Sequence, residues 1–437
     1  MINVSLRCFA VCLAALIASF GDREAVADGT QFSVLHTFDV ADATTGASQT
    51  GSQPDTRPVL GADGAVNGMT YTGGANGNGV IYRYDSESGK YSVLHTFGAL
   101  DANGANSDGA NPGVALTRGP DEVFYGMASF GGANGTGTIF KITASGKFTV
   151  LHTFSAVDAN LHNADGANPL RTLVIGTDGN LYGTTRLGGL NTCAPTGSGC
   201  GVAWVMTPWG SFSVLHQFRA SEGHAASLLL ARDGFFYGCA VFPFAAAGSG
   251  TLFRMAPSGG DFEILHRFGE VDVNGANSDG ADCFEPLVET GPGVFYGSTT
   301  YGGPNANGVV FRYSAAKGLE IVHAFSASNA AGQNSDGANP LARLTRGEDG
   351  ALYSTASYGG ANGNGVVYRI RPNGSFKVLH TFSAANPITG SNLDGVEPDY
   401  GVLVEGDSLI GMADYGGNGS VAGAIGNGTL YRLKMDQ

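Results

Sequence analysis

Charge is scarce in this chain, and what there is leans acidic. Asp, Glu, Lys and Arg make up 14% of 437 residues, with Lys+Arg 23 against Asp+Glu 37 and a net charge of -14. There is no basic block, which argues against nucleic acid and anionic membranes as partners. Beyond the N-terminus no apolar run is long enough to span a membrane, and no window has a helical period. There is no Cys-x-x-Cys pair, so a zinc site is not expected. Gly-x-Ser-x-Gly, His-Glu-x-x-His, Gly-Lys-Ser/Thr and Ser-x-Asp-x-Gly-x-Thr-Trp are all missing. The hydrolase, zincin, phosphate-loop and Asp-box chemistries that those motifs carry therefore have no support.

The N-terminus differs from the rest. One Arg precedes the short apolar run Cys8 to Phe20, and Ala25-Val26-Ala27 stands just before Asp28. This is a secretory signal pattern, predicting residues 1–27 as a signal peptide and a secreted or periplasmic protein. Four cysteines then remain. Export permits disulfides. Cys193 and Cys200 suit a loop staple. Cys239 and Cys283 would have to join neighbouring repeats, and free buried thiols are an equal reading for them.

What the chain has in abundance is repetition. Val34-Leu35-His36-Thr37-Phe38 returns six times, around His95, His152, His216, His266, His323 and His380. The shortest step, His216 to His266, is 50 residues, and the longest, His152 to His216, is 64. Such a period marks a repeat architecture. Within each repeat lie four short runs rich in β-branched and aromatic residues, bounded by Gly, Asn, Asp or Pro. In the second repeat they are Val114 to Leu116, Val123 to Gly126, Thr138 to Lys141 and Phe148 to Phe154. These read as strands. The 70 glycines are then turns.

Four strands per repeat and seven repeats predict an all-β, seven-bladed β-propeller over residues 28–437. The chain opens on a lone outer strand, Phe32 to Phe38, and closes one strand short at Thr429 to Arg432. The first strand is thus expected to complete the last blade and close the ring. The third strand carries an aromatic in every repeat: Tyr82, Phe140, Trp204, Phe253, Phe311, Tyr368 and Tyr431. These read as packing between blades.

Asp108-Gly109-Ala110-Asn111-Pro112, Gly73-Gly74-Ala75-Asn76-Gly77-Asn78-Gly79, Leu181-Tyr182-Gly183-Thr184-Thr185 and Val-Leu-His-Thr-Phe recur along nearly the whole chain. Written out this way, the chain resembles the choice-of-anchor tandem repeat GloVer family of exported bacterial proteins. The resemblance implies export and a repeat fold, and brings no catalytic residue with it. The fourth repeat departs, with Glu222-Gly223-His224 for Asp-Gly-Ala and Pro243-Phe244 for Gly-Gly. The family's C-terminal sorting anchor is not expected, because Gln437 follows directly on the last strand.

Four features bear on chemistry. In a regular strand His36 shares a face with Val34 and Phe38. Seven copies around a ring cannot converge, so the histidines read as structural, each satisfying a buried partner. The Gly-rich loops join strand to strand, so turn geometry explains them better than phosphate binding. The polar loops Asp101/Asn103/Asp108, Asp158/Asn160/Asp165 and Asp272/Asn274/Asp279 supply oxygens that suit Ca²⁺, with plain Asx-turns as the alternative.

The last feature is the residue before each Gly-Gly, which is aromatic in five of seven repeats and includes Phe130, Tyr301, Tyr358 and Tyr415. Its neighbour varies and includes Arg186 and Asp414. This reads as a ligand-binding face, against ordinary packing at the sheet end. Other breaks in the repeat are Arg171, His162, His224, Asp282, Glu285, Glu397 and Asp399, and no spacing singles out a catalytic pair. The reading favoured is a monomeric, non-catalytic module binding a glycan or a protein surface. The alternative is a carbohydrate-active enzyme, a polysaccharide lyase or glycoside hydrolase, on the same scaffold.

Overall fold

The structure, a computed structural model, describes residues 30–193, 197–242, 249–386, 391–417 and 427–435. The expected signal peptide and Pro243-Phe244 lie outside the described residues. Seven four-stranded antiparallel sheets follow one another as blades, with one small ribbon of Thr192–Cys193 against Ser198–Gly199. In the second blade the order from axis to rim is Thr117–Arg118, Val123–Ala128, Thr138–Thr143, Phe148–Thr153. The only helix among the described residues is the 3-10 turn Pro120–Glu122.

The ring closes as the sequence predicts. Gln31–Thr37 pairs antiparallel with Thr429–Lys434, outside Ser408–Ala413 and Val402–Glu405. No open sheet edge is then left at the junction.

The third-strand aromatics fill the blades. Tyr82, Phe140, Trp204, Phe253, Phe311, Tyr368 and Tyr431 are all fully buried. They need room on the strand beside them. A Cβ on Gly126 would stand 2.5 Å from the Phe140 ring, so the Gly of Phe-Tyr-Gly is what lets that ring lie flat.

The outer strand differs from a regular one. In every blade the register shifts between the Val (or Ile) and the His of Val-Leu-His, as between Val34 and His36. Leu35 is the extra residue of a β-bulge. Val34 therefore pairs with Tyr431 and His36 with the next residue, Leu430, so the two do not share a face. The expected alternation fails here, and the bulge is the reason. It turns His36 onto Tyr91 of the next blade, with rings stacked 3.9 Å apart, and Phe38 onto Tyr82.

The same contact recurs as His95–Phe148, His152–Phe212, His216–Phe262 and His323–Phe376, at 3.9 to 4.2 Å. At the closure His380 stacks on Phe32, from the N-terminal strand. Each such aromatic pair contributes about 0.5–1.5 kcal/mol beyond its buried area.

Blades are also keyed near the axis. A Cβ on Gly137 would lie 2.6 Å from Pro169 of the next blade, and Gly79, Gly308 and Gly365 meet Pro112, Pro340 and Pro398 alike. The fifth blade has Cys283 in place of that Pro, and Cys283 is bonded to Cys239 of the fourth blade. A covalent staple stands where the Pro–Gly contact has lapsed. The second disulfide, Cys193–Cys200, ties off the ribbon loop. Among the described residues no helix is long and apolar enough to cross a membrane.

Candidate functional site

The end of each second strand pairs with the loop that leads into the innermost strand. Phe130 bridges Ala110, Tyr301 bridges Ala281, Tyr358 bridges Ala338 and Tyr415 bridges Val396. These residues therefore lie at one level on one end of the ring. Phe130, Tyr301 and Tyr358 are 42%, 50% and 45% exposed, and Tyr415 is half-buried. The alternative of burial between blades does not hold for Phe130, Tyr301 and Tyr358. Their neighbours turn inward: Asp414 is buried, and Arg186 is half-buried.

One repeat position shows how structure and site divide. The Asn of Asp-Gly-Ala-Asn-Pro adopts positive φ at Asn111, Asn168 and Asn339. Each of these side-chain amides donates to a carbonyl of the preceding blade, at Tyr71, Ser129 and Thr300. Gln53, Asp282 and Glu397 hold the same backbone shape at the same position with other chemistry. The Gln53 amide donates to the Tyr415 hydroxyl at 3.1 Å and its carbonyl accepts from Thr72 at 2.9 Å. The Asp282 carboxyl is pushed up to about 6 by burial, and its Oδ1 has no partner.

The next residues inward form an acidic knot. Asp55 and Asp399 each follow the Pro of their repeat, where the other blades carry Gly113, Leu170, Ser227, Phe284 and Leu341. Burial pushes Asp399 up to about 7; a hydrogen bond from Ser357 and the charge of Arg171 oppose this, while Glu397 adds to it. Burial drives Asp55 and Asp414 well above the ordinary carboxylate value; the Arg171 charge opposes this at Asp55, and carboxylate neighbours add to it at both. Oδ1 of Asp399 and Oδ1 of Asp414 are buried without a hydrogen-bond partner. The Tyr358 and Tyr415 hydroxyls are raised as well, by burial and then by these carboxylates. Carboxyls that titrate near neutrality under a rim of tyrosines can accept or donate hydrogen bonds, or move a proton.

On the third and fourth blades the mouth carries nitrogen chemistry. His224 Nδ1 donates to the Arg186 carbonyl at 3.2 Å, and its Nε2 is buried and unpartnered. Burial lowers its pKa; the hydrogen bond to the Arg186 carbonyl opposes this and the Arg186 charge adds to it, so the balance favours the neutral ring.

Six of the seven repeated histidines have an acid partner. His95 meets Asp108 at 3.0 Å, His152 meets Asp165 at 3.2 Å, and His266 meets Asp279 at 2.8 Å. His216 uses Glu222 at 2.9 Å, so the odd Glu222-Gly223-His224 segment keeps the pair with a longer acid. His36 lacks such an acid; its Nε2 is unpartnered and burial lowers its pKa to about 4.

This geometry also locates the residues expected to suit calcium. Asp108, Asp165 and Asp279 face the histidines and accept from the backbone of Gly98, Ser155 and Gly269. Asp101, Asp158 and Asp272 accept from amides of their own loops, those of Asn103, Asn160 and Asn274 among them. The oxygens of each loop thus serve two hydrogen-bond networks. Among the described residues no group of three or more His, Cys, Asp or Glu is placed to hold a metal ion.

The model of the Gloeobacter/Verrucomicrobia repeat matches residues 24–192 and 157–337. The chain belongs to this repeat family. No curated protein matches it in sequence. Among solved structures, virginiamycin B lyase from Staphylococcus aureus superposes with TM-score 0.54 at 11% identity, over 93% of this chain and 100% of that one. An oligogalacturonate lyase from Vibrio parahaemolyticus gives TM-score 0.51 at 12% identity, over 95% and 96%. At such identity the likeness is one of fold.

Sequence reasoning singled out Arg186, Asp414, Tyr358 and Tyr415 and passed over Gln53, Asp55, Arg57 and Arg343. Aligning the repeats on their Pro would have found most of them. One residue after Pro stand Asp55 and Asp399; three after stand Arg57 and Arg343 among Ala115, Pro286 and Gly401.

Proposed function

We propose that this protein is an exported, non-catalytic binding module that takes a glycan at the aromatic end of the ring. The observation that carries the reading is the set of exposed rings, Phe130, Tyr301 and Tyr358, at one repeat position around a mouth floored by Asp55, Asp399 and Asp414. Exposed aromatic faces stack on sugar rings, and a few inward polar groups fix their orientation. The net charge of -14 favours a neutral or cationic ligand over a polyanion. Export rests on the first 27 residues, and two disulfides accord with it.

A second reading has its own observation. Asp282 at about 6 and Asp399 at about 7 titrate where general acids and bases work, which suits a carbohydrate-active enzyme. An oligosaccharide array probed with residues 28–437, followed by product analysis of every hit, separates the two. The binding reading expects retention of intact sugar, with loss of the signal in Tyr358→Ala and Arg186→Ala at unchanged melting temperature. Absence of any sugar hit, or variants that bind normally, removes it; shortened products move the protein to the second reading.

A further inference from the structure

Below the carboxylates the charge on the axis changes sign. Along each innermost segment the chain runs from the mouth inward, from Gln53 past Asp55 to Arg57. Arg57 of the first blade, Arg171 of the third and Arg343 of the sixth all line one cavity, which leaves about 60 Å³ for the centres of water-sized spheres. Glu285 and Tyr400 complete its polar wall, while Leu116, Thr117 and Leu173 carry it away from the aromatic mouth. Six of the seven blades contribute (all but the fourth), so the cavity lies on the axis.

The three guanidinium groups are held differently. Arg171 is fixed. Its Nη1 donates to Glu285 at 2.9 Å, and it lies over the Phe284 ring at 4.9 Å. Its φ of 80° is a strained value for a residue with a side chain. Its Nε remains buried and unpartnered. Arg57 and Arg343 have no ion pair among the described residues, and Glu285, already committed to Arg171, is the carboxylate they feel. Burial, then the charge of Arg343, pushes Arg57 down to about 10. Arg57 and Arg343 are half-buried and stand in the lining without an ion-pair partner, and charge drawn partly out of water without a partner is costly.

We propose that this cavity is an anion site, in which Arg57, Arg171 and Arg343 hold a small oxyanion, a phosphate or a carboxylate. Planar forks converging from three directions match the oxygens of such a group, and Arg is the side chain that does this best. The cavity admits a small ion rather than a chain, and its wall continues toward the far end of the ring, so the anion need not pass the carboxylates. The site is distinct from the aromatic mouth, although Arg171 also acts on Asp55 and Asp399 above it.

The test uses residues 28–437 in a phosphate-free buffer. Sodium phosphate, and in a second arm sodium malonate, is compared with sodium chloride at equal ionic strength. The site predicts saturable binding by calorimetry and a melting temperature that rises with the oxyanion over chloride. The stronger arm tells phosphate from carboxylate. Arg57→Met and Arg343→Met should each abolish the rise. Should these fail to fold, Arg57→Lys and Arg343→Lys keep the charge and lose the fork, and should weaken binding by about tenfold. No saturable heat with either anion in the wild type, an equal rise in chloride, or unchanged affinity in the Arg variants would overturn the proposal.

Discussion

At the outer edge of the ring, six histidines each meet a carboxylate at 2.8 to 3.2 Å, His95 with Asp108 and its equivalents. At the axis, the residue after the same Pro is Asp55, Gly113, Leu170, Leu341 or Asp399, depending on the blade. The edge repeats because every blade interface poses the same packing problem. The axis does not repeat, because a single site needs unlike groups facing one another. Repetition therefore marks what holds the ring together, and departures from it mark where the ring can act.

Breaking the edge at its one chain crossing should have the largest effect. Deleting residues 28–38 removes the outer strand of the last blade, with Phe32 from against His380 and Tyr431 and Phe38 from against Tyr82. It also exposes a sheet edge. The expected outcome in a thermal melt is loss of the cooperative transition, with aggregation. A truncated protein that melts like the full one would mean that closure contributes little.

The next effect is smaller and sits where the repeat itself has lapsed. Cys239–Cys283 closes a span of 44 residues, and chain entropy assigns such a loop about 4 kcal/mol. Cys193–Cys200 spans 7, for about 2 kcal/mol. Replacing Cys239 and Cys283 with Ser should thus lower the denaturant midpoint more than replacing Cys193 and Cys200.

At the axis the expected signature is pH dependence. Asp399 is held at about 7 against 3.8 when unfolded. A raised folded value means the native state binds the proton more tightly. That stability is fully present below 3.8 and is lost as pH rises through about 7. From about pH 5 to about pH 8 the wild type should therefore lose melting temperature relative to Asp399→Asn. Parallel pH profiles for the two would show that Asp399 is ionised throughout.

The edge was largely legible in the sequence. Val-Leu-His-Thr-Phe, the third-strand aromatics and the missing last strand were enough to set blade count and closure. The bulge at Leu35 was not, since Val-Leu-His reads as a regular alternating strand, and bulges leave no residue signature there. The mouth was half legible: Tyr301, Tyr358 and Tyr415 stand beside the conspicuous Gly-Gly. Most axial charges lie just before the short inner strands, as Asp55 and Arg57 before Val59–Leu60 and Arg343 before Thr345–Arg346, in segments too short for a pattern. Their convergence exists only once the ring is closed.

One paired measurement tests the division between edge and axis most directly. On a sugar that the array retains, affinity and melting temperature are taken together for His323→Ala and Tyr358→Ala. His323 pairs with Asp336 at 2.9 Å and stacks on Phe376, so its loss should cost about 1–3 kcal/mol of stability and leave affinity unchanged. Tyr358, 45% exposed, should lose affinity and keep its melting temperature. Affinity lost in His323→Ala at an unchanged melting temperature, with Tyr358→Ala binding normally, would contradict the account.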